Sequence, residues 1–417
     1  MAERVDAVVI GAGGMGAATA WRLAVHGRSV VLLEQFAVGH RRGSSHGQTR
    51  IFRLAYRDSR YTALAARSIP LWQELEDASG ERLLERTGSL DHGIVAAIDQ
   101  IEANLRGHGR AAERLTPGQA QERWPSMVID TAAVFSPDGG RVFADRTVAA
   151  AARVARQHGV RLHEHTTVEH IEPMAGGVRV HAAGRSWQAG CAVIAAGAWV
   201  SGLIGHLVNL PRLRITCQQP GHFAIRDGCH FPSFIHHTGG HHTGGHHTGG
   251  RSDALGFGAY GLASPGEGVK LGLESTIRVL DSPDAECTSD GERPTDPRID
   301  VALREYAERW LPGADSTRLS TTTCLFTETA DSHFVVDRAP VRVDREPVGA
   351  DRALLGRGRG HPAAGPIIVC SPCSGHGFKF VPIIGEITAR LAMGEDHGLP
   401  AWRIPQSQRD RSDGVHP

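Results

Sequence analysis

The sequence has no uninterrupted apolar run of the roughly 18 residues that a membrane-crossing helix needs. Its first residues also lack a basic segment followed by a separate apolar stretch. The expectation is a cytoplasmic chain without a membrane partner. Lysine plus arginine number 45, as do aspartate plus glutamate, so the formal net charge is zero. The basic footprint of a general nucleic-acid binder is therefore missing, and Arg41-Arg42 is too short to replace it. The seven cysteines are scattered and odd in number, which speaks against a disulfide framework and for reduced thiols. At 417 residues the chain has the length for two domains, taking domains as roughly 100 to 200 residues each.

What is present begins at Val5. The run Val5-Asp6-Ala7-Val8-Val9-Ile10 is an apolar strand leading into Gly11-Ala12-Gly13-Gly14-Met15-Gly16. In this Gly-x-Gly-x-x-Gly turn Gly11 allows the tight bend, Gly13 lets backbone approach a pyrophosphate, and Gly16 lets the next helix pack on the strand. Phosphate then sits at the helix N-terminus. The motif alone is weak, so its context decides. Met15 to His26 reads as a helix that Gly27 ends, and Ser29 to Glu34 reads as the second strand. Glu34 follows the glycines by roughly 20 residues, where an acid accepts hydrogen bonds from a ribose. The reading is a dinucleotide site, with nicotinamide or flavin left open.

A polar, glycine-rich stretch from Gly39 to Arg53 follows, too long for a simple connector. Helices are expected over about Tyr61 to Ala78 and Arg146 to His158. Val160 to His163 and Thr167-Val168 read as two short strands joined by a turn, and Cys191 to Trp199 as an apolar strand that breaks at small residues. Residues 236–250 repeat His-His-Thr-Gly-Gly three times. Such tracts can collect metal, but abundant glycine leaves no shell to orient ligands, so a dispensable hairpin tip is expected and no metal site is assigned. Ile367 to Cys370 is a strand, followed by Ser371 to Phe380 and a helix. Cys370 and Cys373 form a Cys-x-x-Cys spacing outside any thioredoxin-like context, which reads as packing. The tail over 406–417 is polar and is expected to fray.

Ser44-Ser45-His46-Gly47-Gln48-Thr49-Arg50-Ile51-Phe52-Arg53 and Ser374 to Phe380 resemble the monomeric sarcosine oxidase family, which includes N-methyltryptophan oxidase. The likeness spans almost the whole chain, with Gly197-Ala198-Trp199, Lys270-Leu271-Gly272 and Cys324 in the expected order. It implies FAD and an α/β plus α+β fold. A Rossmann-like FAD-binding domain would be built from discontinuous segments, 1–86, 145–214 and 325–405. A substrate domain based on a mixed or antiparallel sheet, 87–144 and 215–324, would be inserted between them.

The resemblance also implies roles. Cys324 stands in the family's Cys-x-x-Thr-x-x-x-Asp-x-x-Phe frame, here Cys324 to Phe334, and would bond through sulfur to the 8α carbon of the flavin. Read without the family, it is a buried free thiol. Arg53 and Lys379 correspond to residues that hold a substrate carboxylate, chemistry that a guanidinium and an ammonium suit. Thr49 and Arg50 would lie beside the flavin, with fixed positive charge favouring its reduced anion. Lys270 resembles the oxygen-activating lysine, and Tyr260-Gly261 a pair lining the substrate cavity. Arg42, Ser45, Val168, Gly197, Trp199, Gly375, Gly377 and Phe378 join Gly11, Gly13, Gly14, Met15, Gly16 and Glu34 as cofactor contacts, with His376 structural. Two departures concern the substrate: Glu274 stands where the family's namesake has a histidine, and Phe326 where it has a tyrosine.

The expected activity is oxidation of an N-methyl amino acid by a monomeric enzyme whose partners are a secondary amino acid and O2. A cyclic secondary amino acid such as pipecolate is the second expectation. A metal-binding or carrier protein on an inactive flavin fold is the different-class alternative.

Overall fold

The computed structural model describes residues 2–238, 258–274, 277–341 and 365–395. The later His-Thr-Gly repeats and the tail over 406–417 lie outside the described residues.

Five parallel strands carry the first layer. In spatial order they are Arg161–His163, Val30–Leu33, Glu3–Ile10, Arg185–Ile194 and Ile367–Ser371. Alternation along them sends successive side chains to opposite faces. Val9, Leu32, Val193 and Ile368 face one core, shared with the helices Gly14–Val25, Ala144–Gln157 and Val381–Met393. Ile10, Leu33, Ile194 and Val369 face a second core. The antiparallel hairpin Val168–Met174 and Gly177–Ala182 pairs with the first half of Arg185–Ile194.

The second layer is an eight-stranded sheet. It is antiparallel except where Ser233–His237 runs parallel to Ser89–Gly93. Helix Pro297–Trp310 covers it, packing Leu303, Ala307 and Trp310 on Phe223, Phe234 and Leu271. Two small sheets bridge the layers. Arg214–Gln218 lies between Ile277–Leu280 and Cys324–Glu328, and Thr49–Phe52 pairs with Gly140–Phe143. Among the described residues no helix is long and apolar enough to cross a membrane.

Several expectations need correction. The two short strands are found at Arg161–His163 and Val168–Met174; the first adds to Val30–Leu33, and the second runs longer than expected and turns back on Gly177–Ala182. The Gly39 to Arg53 stretch is not all loop, since Thr49–Phe52 finds a partner strand at Gly140–Phe143. The apolar strand runs over Arg185–Ile194 and ends before Ala195. Domain limits after 214 and before 325 cut Arg214–Gln218 and Cys324–Glu328, two strands hydrogen-bonded to each other. The repeat tract does not begin at a tip: His236 and His237 are buried in a strand, His236 opposite Ala259.

Candidate active site

The glycine turn is built as its spacing requires. A Cβ on Gly16 would lie 1.8 Å from the carbonyl oxygen of Gly11, and one on Gly11 would lie 2.6 Å from that of Ala195. Gly11 also has φ +99°, a backbone region that favours glycine. The helix from Gly14 opens without a capping side chain at Gly13 and without an acid in its first turn. Its first amides suit an anion. Glu34 is buried at the end of the second strand, where Oε2 accepts from Ala12 N at 2.7 Å and Oε1 from Phe36 N at 2.9 Å. Strand Glu3–Ile10 sends its next parallel neighbours to opposite sides, so the turn opens at the topological switch point where doubly wound sheets bind ligands.

From this turn a cavity of about 800 Å³ runs to Cys324 and Lys379, a volume within the range of small-molecule and cofactor sites. It brings together Gly11, Gly13, Gly14, Met15, Glu34, Ser45, Val168, Gly197, Trp199, Gly375, Gly377 and Phe378 along its walls. Gly16 lies beneath the turn rather than on the wall. Arg42 is a correction. Its guanidinium stacks over Phe36 at 4.9 Å and donates to Ser289 O at 2.7 Å, so its hydrogen bonds are spent on a loop outside the cavity.

Thr49, Arg50, Lys270 and Cys324 form one cluster on the cavity wall. Arg50 Nη2 donates to His46 O at 2.5 Å and to Ser44 O at 3.2 Å, and lies 3.7 Å from Cys324 Sγ. Lys270 Nζ lies 3.5 Å from Thr49 O. Burial, reinforced by Arg50, pulls the Lys270 ammonium down to about 7. His46 is pushed down to about 3 by burial and by the same two cations, so it is neutral. Thr49 Oγ1 donates to Ser264 Oγ at 3.0 Å, which reaches Glu267 Oε2 at 2.7 Å.

Arg53 and Lys379 meet further along. Their charged heads approach the Tyr56 ring at 4.2 and 5.6 Å, and both are buried, at 4% and 6% exposure. Arg53 Nη1 donates to Ala55 O at 2.6 Å and faces Asp91 Oδ1 at 3.6 Å. Lys379 Nζ donates to His376 O at 2.8 Å. Burial and the nearby Arg53 hold the Lys379 ammonium well below its ordinary range. Helix Ser59–Ser79 fixes this turn through fully buried Trp72, whose Nε1 donates to Lys379 O at 2.9 Å. Truncating Trp72 would cost roughly 3–5 kcal/mol.

Tyr260, Glu274 and Phe326 line the same cavity. Tyr260 pairs with Gly272, whose missing Cβ leaves room for the phenol ring. His376, also on the cavity wall, stacks on Phe334 at 4.7 Å and is held neutral chiefly by burial. The Cys-x-x-Cys residues are free thiols, with Thr388 Oγ1 donating to Cys370 Sγ. Asp91 and Ser264 went unmarked in the sequence, and His237 was noted only as part of the repeat tract. Each sits in an ordinary strand, and long-range pairing alone gives it a place.

A glycine turn at a switch point, joined by one cavity to buried cations, defines a dinucleotide-dependent oxidoreductase. The chain belongs to the FAD dependent oxidoreductase family, which matches residues 6–391, and within it to the monomeric sarcosine oxidase family. It is 31% identical over 416 residues to "Monomeric sarcosine oxidase" of Streptomyces avermitilis, covering 94% of each chain. To "N-methyl-L-tryptophan oxidase" of Salmonella enteritidis it is 25% identical over 404 residues, covering 94% and 95%. A solved structure of NikD, "an unusual amino acid oxidase essential for nikkomycin biosynthesis", superposes with a TM-score of 0.74 at 25% identity, covering 94% of each chain.

Proposed function

We propose that this enzyme oxidises an N-methyl amino acid of the sarcosine type with O2 and water, giving the demethylated amino acid, formaldehyde and hydrogen peroxide. The observation that carries this reading is the convergence of buried Arg53 and Lys379 on one ring at the wall of the cofactor cavity. Asp91 at 3.6 Å offsets part of the cost of burying two cations side by side, and an anionic ligand offsets more of it. A substrate carboxylate meets the guanidinium through paired hydrogen bonds and the ammonium through one more.

The chain's donors fit FAD. The helix N-terminus, where Gly14 N and Ser45 Oγ meet at 3.2 Å on the cavity wall, receives the pyrophosphate, and Glu34 lies within the same cavity to accept from a ribose. Bound FAD supplies the redox step, taking a hydride equivalent from the substrate carbon and passing electrons to oxygen. Arg53 and Lys379 orient the substrate by its carboxylate. Lys270 and Arg50 put positive charge where oxygen becomes anionic. Cys324 Sγ, buried 3.7 Å from the Arg50 guanidinium on the cavity wall, is the proposed attachment point to the 8α carbon; that bond would replace the S–H and one 8α C–H bond, the two electrons leaving through the flavin to O2. The enzyme acts as a monomer on this reading, as the name of its Streptomyces relative, monomeric sarcosine oxidase, supports.

Glu274 and Phe326, both on the cavity wall, favour a second reading in which the substrate is a cyclic secondary amino acid such as pipecolate. Peroxide release from sarcosine, N-methyltryptophan, proline and pipecolate decides between them. The first reading expects the highest kcat/KM with an N-methyl substrate, and silence across the panel overturns both.

A further inference from the structure

The strands Ala259–Ser264 and Gly268–Leu273 form a hairpin that turns over Pro265-Gly266. Glu267 N donates to Ser264 O at 2.9 Å and Gly266 has φ +81°, as in a type II turn with proline second and glycine third. The turn sets the side chains of Ser264 and Glu267 together. Ser264 Oγ donates to Glu267 Oε2 at 2.7 Å and accepts from Thr49 Oγ1 at 3.0 Å. Gln48 Oε1, at 2.9 Å, is a second acceptor for the single Ser264 proton, but the carboxylate is nearer and charged. The Glu267 side chain is 41% exposed, whereas Ser264 and Thr49 are 2% and 1% exposed. Of the three, Thr49 alone lines the cavity. A hydrogen-bonded line thus runs from solvent through the protein to the cavity wall.

Its inner end lies beside Lys270, whose Nζ is 3.5 Å from Thr49 O. Other charged or titratable groups face this lysine from several elements. Arg50 and Cys324 act on it from neighbouring strands, and Asp145, which accepts from Gly47 N at 2.8 Å, acts from the start of a helix. His222 stands opposite Lys270 in the strand pairing, with Nε2 3.4 Å from Glu267 Oε2. Burial, then Lys270, pushes His222 down to about 4, so it is neutral and does not compete with Glu267 as a carrier of charge.

We infer that Glu267, Ser264 and Thr49 relay protons from solvent to the cavity wall at Lys270, where oxygen is reduced to hydrogen peroxide. Two electrons and two protons convert O2 to H2O2. A secondary amine gives up its C–H as a hydride equivalent and its N–H as a proton, so the hydride carries both electrons and one proton. The second proton is released on the substrate's side and is made up on the oxygen side through the relay. Glu267, having taken a proton from water, passes it to Ser264 Oγ; Ser264 passes its own to Thr49 Oγ1, and Thr49 passes its own into the cavity. One O–H bond forms for each that breaks, and rotation of the two hydroxyls resets the line.

This inference rests on the reading of Lys270 as the oxygen-side cation, and the test separates the two. Flavin-loaded wild type, Glu267→Gln, Ser264→Ala, their double variant and Lys270→Met are photoreduced anaerobically and mixed with O2. Glu267→Gln and Ser264→Ala are each expected to slow reoxidation about tenfold, less than a donor at the reacting atom contributes, because water substitutes in part. The double variant is no slower than either, since one line is cut twice. Imidazole buffer, whose cation reaches the exposed end of the line but not buried Ser264, restores Glu267→Gln and leaves Ser264→Ala slow. Without turnover, the infrared difference between oxidised and reduced protein is expected to contain a carboxyl band that Glu267→Gln removes. Glu267→Gln, in an exposed turn, serves as the check if Ser264→Ala does not fold. Wild-type reoxidation in either single variant, losses that multiply in the double variant, or no carboxyl band sensitive to Glu267→Gln overturns the inference. Wild-type reoxidation in Lys270→Met overturns instead the assignment of Lys270.

Discussion

The two ends of the cavity are made in different ways. At the glycine turn, recognition is done by backbone and by absent side chains: Gly11, Gly13 and Gly16 lie within six consecutive residues, and Glu34 closes the unit. At the far end it is done by charged side chains from distant segments. Arg53 follows one strand, Lys270 lies within another, Cys324 begins a third and Lys379 sits in a short helical turn. The first end has no room for an added atom at Gly11 or Gly16, whereas the second is expected to accept changes of side chain and to answer in rate or selectivity. One fold can thus keep a cofactor while changing its substrate.

The largest expected effect breaks the first end. Gly16→Val places a Cβ 1.8 Å from Gly11 O, a backbone atom that cannot yield cheaply. Overpacking of this kind costs roughly 1–3 kcal/mol or more. We expect protein purified without flavin and a lowered Tm, read by absorbance and thermal melting. A flavin-replete Gly16→Val variant would show that the turn is less constrained than the far end.

The covalent link between the ends comes next. Wild-type protein denatured in acid is expected to keep its yellow colour, and Cys324→Ala to release all of it. Release from wild type would remove Cys324 from the attachment role and leave the cofactor held by the first end alone.

Charge at the far end gives a graded effect. Lys270→Met is expected to slow reoxidation by O2 roughly 10²–10³-fold, the usual loss for one preorganised electrostatic group, with flavin reduction by substrate far less affected. The pH dependence has a definite sign. Burial lowers the Lys270 ammonium from 10.5 to about 7, so its charge is present below that pH and fades above it. Reoxidation should therefore fall as pH rises through about 7 in the wild type, and stay flat in Lys270→Met. An anionic reduced flavin nearby moves the fall upward. Folding responds in the opposite sense: between about 7 and 10.5 the unfolded chain binds the extra proton, so this group adds stability as pH rises. A pH-independent wild-type reoxidation rate would take Lys270 out of the role.

The same contrast explains what the sequence disclosed. The turn, its helix and Glu34 were legible because all their determinants lie within one βαβ unit, where spacing is geometry. Arg53, Lys270, Cys324 and Lys379 were legible only through family resemblance, since no local pattern places them on one wall. Asp91 escaped altogether, and His237 was noted only as part of a repeat. They are 146 residues apart, and only the parallel pairing of their strands makes them neighbours. Arg42 misled because an arginine near a phosphate loop has other partners available, here Phe36 and Ser289 O. The His-rich tract misled by composition: repetition suggested an accessory tip, yet strand pairing buries its first two residues.

The smallest expected effect sharpens substrate choice at the far end. Glu274 and Phe326 share the cavity with Tyr260, and neither belongs to the Arg53 and Lys379 pair that would hold the carboxylate. Changing them should alter selectivity without abolishing turnover. A carboxylate at 274 disfavours apolar bulk, because a buried charge facing a ring loses solvation. Glu274→Gln removes that charge while keeping size and hydrogen bonding. If sarcosine is the preferred type of substrate, this change should raise kcat/KM for pipecolate relative to sarcosine by about 3- to 10-fold, the scale of 1 kcal/mol or so that small pocket changes command. If a cyclic substrate is native and its cationic or polar part leans on Glu274, the ratio should fall instead. Both substrates carry the same carboxylate, so an equal loss on each would mean that Glu274 acts on the shared clamp and not on the part of the substrate that distinguishes them.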